Sequence, residues 1–138
     1  MMSRLIAFVL LMLPLLAHSA DPNWIYLRTL PNGAISSYDM NNSYYKDGYV
    51  HVLMQLKYSE VQTIPFMNVQ WDKLIGFSNF SCDSHSYTQA FGPNFHYLND
   101  REVYQSDGVG PTLSFAPGSY VDQTRTFFCS KFKHWSWN

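Results

Sequence analysis

A chain of 138 residues with a net charge of −1 has the length of one domain. Its nine Lys and Arg are scattered without a cluster, which argues against nucleic-acid binding, since that needs several cations on one face. Aromatics make up 17% of the chain while Ala, Glu and Lys are scarce, a balance that favours strands over helices.

Residues 1–20 read as a secretory signal peptide. Arg4 supplies the positive stem, residues 5–16 the apolar core, and Ala17, Ser19 and Ala20 the small residues a signal peptidase requires. The apolar core is shorter than the roughly 20 residues of a spanning helix. No cysteine lies near Ala20, so lipidation is not expected. The expectation is cleavage after Ser19 or Ala20, leaving a single domain over 21–138 that is exported to the periplasm, the exterior or the cell surface.

Residues 24–30 alternate and are followed by Pro31-Asn32-Gly33 and a second run, 34–40, the signature of a hairpin. Residues 41–48 are polar and rich in turn formers. The clearest strand covers 49–58, with Val50, Val52, Met54, Leu56 and Tyr58 on one face and Tyr49, His51, Leu53, Gln55 and Lys57 on the other. Pro65 interrupts the stretch 59–72, where neither period dominates, and this is expected to be mostly loop. Residues 74–83 form a less regular strand, with Leu74, Gly76, Ser78, Phe80 and Cys82 sharing one side. Further strands are expected near 86–91 and 101–106, with 95–98 extending the first and 112–115 adding a short edge, separated by Gly-Pro turns.

After Pro117-Gly118 the periodicity becomes helical. Ser119 can cap a helix whose apolar stripe is Tyr120, Val121, Thr124, Phe127 and Phe128. The two cysteines, Cys82 and Cys129, are most simply one disulfide in an oxidising compartment. With Cys129 near the end of the helix, that bond would staple the helix onto the sheet.

Taken in order, these landmarks resemble the surface-adhesin protein E family of exported bacterial proteins. The resemblance rests on Trp24-Ile25-Tyr26-Leu27, Ser36-Ser37-Tyr38-Asp39, residues 50–54, Phe80-Ser81-Cys82-Asp83, Pro117-Gly118-Ser119 and Phe127-Phe128-Cys129. It implies an α+β fold, an antiparallel sheet of about six strands with a C-terminal helix tied to one face by the cysteine pair. It also implies adhesion to host extracellular-matrix or envelope proteins, without a cofactor. The missing lipid anchor departs from a surface-tethered role.

The residues offer little catalytic chemistry. Asp83 and His85 could share a strand face as a metal pair, yet hydrogen bonding at the surface accounts for them better, and no metal site is expected. Asp100 and Glu102 read as solvated turn charges rather than an acid/base pair. No G-x-S-x-G elbow is present, and the Gly108–Pro111 run is too short for a phosphate loop. Trp135 and Trp137 in the tail are candidates for a binding surface, against the commoner alternative of packing under a sheet edge. The expectation is a non-catalytic protein-binding domain. The alternative is a periplasmic inhibitor or immunity protein that blocks a hydrolase or toxin with a protruding loop, or a small periplasmic enzyme that would need His51, His85 or His96 beside an acid in a cleft.

Overall fold

In the computed structural model the described residues are 20–89 and 92–133. Residues 1–19 of the expected signal peptide, and Trp135 and Trp137 of the candidate binding surface, lie outside them. The fold is α+β, one antiparallel sheet and one C-terminal helix.

Strands β1 (Trp24–Thr29) and β2 (Ile35–Asp39) form the expected hairpin. Its turn closes through Gly33 N–H donating to Leu30 O and Leu30 N–H donating to Ala34 O, with Gly33 at φ 85°, a left-handed position that glycine accepts without a Cβ clash. A short β3 (Tyr44–Lys46) precedes the two long strands β4 (Tyr49–Ile64) and β5 (Val69–Ser81), which form the central ribbon. The outer strands are β6 (Ser86–Thr88), β7 (Asn94–Leu98), β8 (Arg101–Ser106) and β9 (Thr112–Ser114), and the helix α1 spans Tyr120–Phe132.

Among the described residues the sheet holds nine strands rather than about six, because each edge of the ribbon hosts two partners in series. One edge of β4 pairs with β3 at its start and with β2 further along. The free edge of β5 pairs with β7 through Lys73–Ile75 and with β6 through Asn79–Phe80. Strand β1 then adds to β2, β8 to β7 and β9 to β6. Three of these strands are only three residues long, too short for alternation to be read. The stretch 59–72 is also not a loop. It carries the ribbon onward, with Gln62, Thr63 and Ile64 opposite Trp71, Gln70 and Val69 after an irregularity beyond Lys57. Pro65 sits in the tip, where its missing N–H breaks no ladder.

Residues directly opposite one another share a face of the sheet. The pairs Val50–Phe80, Val52–Ser78, Met54–Gly76 and Leu56–Leu74 therefore define one face of the ribbon. The helix covers the near end of that face. Phe128 lies 5.2 Å from Tyr38 and 5.6 Å from Phe80 between ring centroids, and Phe128, Phe132, Val50, Val52 and Tyr38 are all buried. The helix buries Phe128, Cys129 and Phe132, while Tyr120 and Phe127 of the expected stripe are exposed. Val121 and Phe128 of that stripe do pack on the core, while the adjacent Phe127, about 100° away round the helix, turns outward.

Two further devices hold this end. Ser119 caps the helix by accepting from Asp122 N–H at 3.3 Å, and Asp122 accepts from Gly118 N–H at 2.7 Å. The disulfide Cys82–Cys129 joins the end of the ribbon to the helix with α-carbons 5.8 Å apart. Arg125 reinforces the same junction, donating to Cys82 O at 3.3 Å and to Asp122 Oδ1 at 2.9 Å. Beneath β2, the fully buried Asp39 gathers donors from Asn23 N–H, Asn41 N–H and Asn42 Nδ2, and Ser43 Oγ links its carbonyl to Leu53 N–H.

Candidate functional site

The helix is shorter than the sheet face it lies on, so the far part of that face stays open. Between it and the first turn of α1 lies a cavity of about 480 Å³. That is within the range of small-molecule sites. Its walls are half-buried apolar side chains, chiefly Met54, Leu56 and Leu74 from the ribbon and Val121 from the helix. The floor is low because Gly76 and Ser78 stand opposite the larger Met54 and Val52. A Cβ at Gly76 would collide with the Asn94 side chain, so the absence of one lets Asn94 lie across the sheet.

Among the polar side chains that line this space are Arg28 from β1, and Asn94 and His96 from β7. Arg28 stands opposite Ser36, and His96 opposite Leu74 and Tyr104. The Arg28 guanidinium stacks on the Tyr120 ring, its central carbon 3.4 Å from the centroid. His96 is packed by Trp71 at 4.9 Å and Tyr104 at 5.4 Å, and its Nδ1 is buried with no hydrogen-bond partner among the described residues. Burial pushes the His96 ring below the usual imidazole pKa, against the opposing pull of the Tyr104 backbone.

A second distinctive feature is the tip of the ribbon. Beyond Lys57 and Lys73 neither ribbon edge pairs with a third strand among the described residues, and the turn is closed by Met67 N–H to Ile64 O. Pro65 occupies the second position and Phe66 the third, at φ 68°. A proline followed by a left-handed residue is the pattern of a type II turn, where glycine is the preferred third residue. A bulky side chain there costs about 1–2 kcal/mol. Phe66 is nonetheless fully exposed, and Val61 and Met67 are about half exposed beside it.

The candidates read from the sequence are dispersed. His85 Nε2 is 3.8 Å from Asp122 Oδ1 and its ring lies against Phe115, so its acidic neighbour comes from the helix rather than from Asp83. Asp83 and His85 lie in an irregular bend, not on a strand face. Asp100 is in the β7–β8 turn at φ 64° and pairs with Lys73 at 2.7 Å, which holds its carboxyl below the usual range. Glu102 is exposed in β8. His51 lies on the opposite face of the ribbon, stacked on Tyr44 at 4.6 Å, and burial lowers its pKa against the pull of Asn79. Among the described residues no three His, Cys, Asp or Glu side chains converge as metal ligands, and no helix is long and apolar enough to cross a membrane.

The cavity and the tip went unread because each depends on partners distant in sequence. The signal for the tip was present: Pro65 and Asn68 flank Phe66 and Met67 between two runs that can pair. Nothing local joins Arg28 to His96. No protein-family model matches this chain, and no curated protein is significantly similar to it in sequence.

Proposed function

We propose that this protein is an exported, non-catalytic binding domain that engages a protein partner, as its resemblance to the surface-adhesin protein E family implies. The observation that carries the reading is the ribbon tip, where a bulky aromatic is kept in a strained and fully exposed position. Strain of this kind persists where it serves a contact, and a projecting aromatic beside Met and Val has the composition of an interface anchor. The disulfide supports an oxidising compartment, as export through the signal peptide requires. The partner is a host extracellular-matrix or envelope protein.

The experiment is retention of purified matrix proteins and envelope extracts on the immobilised native protein, compared with Phe66→Ser. Retention by the native chain that Phe66→Ser abolishes sustains the reading. Equal retention by both, or turnover of a substrate without any retained partner, overturns it.

The same projecting tip favours a second reading, an inhibitor or immunity protein that inserts residues 65–67 into the cleft of a hydrolase or toxin. Co-purification with such an enzyme, and loss of inhibition in Phe66→Ser, distinguishes it from adhesion.

A further inference from the structure

The open cavity has a chemistry of its own, separate from the tip. Its walls are mainly apolar, aliphatic and aromatic, and no acidic side chain lies among its described lining residues. Its one permanent charge is Arg28. The ring of Tyr120 occupies a face of the guanidinium, and no described residue accepts a hydrogen bond or forms an ion pair with it. Stacking uses the π-face and leaves the in-plane N–H fork able to take a planar carboxylate by two parallel bonds. His96 adds a buried Nδ1 without a described partner, an arrangement that is unfavourable unless something bonds to it.

We propose that this cavity binds a small amphipathic monocarboxylate. Its apolar body lies between Leu56, Leu74 and Val121, its carboxylate meets Arg28, and its polar atoms come within reach of His96. At about 30 Å³ per water-sized group, the 480 Å³ space holds roughly sixteen heavy atoms, enough for a medium-chain carboxylate. A longer lipid chain would have to protrude, and a dianion would leave one charge in aliphatic surroundings without a second cation.

The test is isothermal titration of the purified protein with decanoate, with decanol as the uncharged counterpart of equal chain length. The native protein is expected to bind decanoate saturably and at least tenfold more tightly than decanol. Arg28→Gln is expected to erase that difference while leaving decanol binding unchanged. Leu74→Trp, which fills the cavity, is expected to abolish both. As a check that does not depend on any variant folding, decanoate added to the native protein should shift the amide resonances of Leu56, Leu74 and His96 and leave those of Phe66 and Met67 unmoved. Absence of saturable binding, equal affinity for decanoate and decanol, or shifts confined to the tip overturns the proposal. Phe66→Ser should bind decanoate as the native chain does, so the cavity and the protein-binding reading stand or fall separately.

Discussion

The two ends of the β4–β5 ribbon are built from the same alternating pattern and put to opposite uses. At the near end, Val50, Val52 and Phe80 are sealed beneath α1, the disulfide and Arg125. Toward the far end the same face opens into the cavity, and the ribbon then runs on unaccompanied to an exposed Phe66. Stability is concentrated where neighbours exist on every side, and the surfaces suited to recognition lie where they run out.

The sharpest break of this contrast is Phe128→Ala at the near end. It removes a ring packed against Tyr38, Phe80 and Phe132 and should cost about 3–5 kcal/mol in urea unfolding. An equal loss from Leu56→Ala, in the open cavity, would erase the distinction between the ends.

Replacing Cys82 and Cys129 with Ser should cost roughly 2–5 kcal/mol, since the bond closes a loop over a sequence separation of 47. Hydrogen exchange should quicken first in Tyr120–Phe132, because the helix would then be held by the Val121, Phe128 and Phe132 contacts, the Arg28–Tyr120 stack, the Ser119 cap and Arg125, without a covalent link. Protection lost first in β7 or β8 would contradict this order. Asp39→Ala strands several donors under β2, and a cost of about 2–3 kcal/mol is expected from its denaturation midpoint.

At the tip the sign should reverse. Phe66→Gly removes a bulky side chain from a left-handed position and should stabilise by up to about 1 kcal/mol while abolishing partner retention. Stability and binding moving in the same direction would show that Phe66 is structural.

The smallest effect is expected from pH. His51 and His96 both have folded pKa values lowered by burial, so the folded state binds fewer protons than the unfolded chain. Their contribution to stability is fully present above about 6.5 and is lost as pH falls from there through the lowered folded values. His96→Gln should flatten the decline between pH 7 and 5 in thermal melts. An unchanged slope in that variant would assign the effect elsewhere.

Much of the sheet was legible in the sequence. The Asn32-Gly33 hairpin, the faces of β4 and β5 and the Ser119 cap follow from two- to four-residue rules, the Cys82–Cys129 link follows from the chain's two cysteines, and the structure keeps them all. The continuation of the ribbon through 59–72 was hidden because Pro65 resembles a strand breaker until its position in a turn is known. His51, His85 and His96 show the same limit, since their neighbours Tyr44, Asp122 and Trp71 come from other elements.

By itself the sequence determined which residues alternate and where the helix starts, because these are properties of neighbours along the chain, and which thiols can pair, because it holds two cysteines. Only the tertiary structure decided that four short strands would dock in series along the ribbon edges and that α1 would cover the near part of one face. Helix length against sheet length sets how much of that face stays open, and this places Arg28 and His96 around one apolar space. That outcome is a matter of packing between elements far apart in sequence, which no local periodicity records.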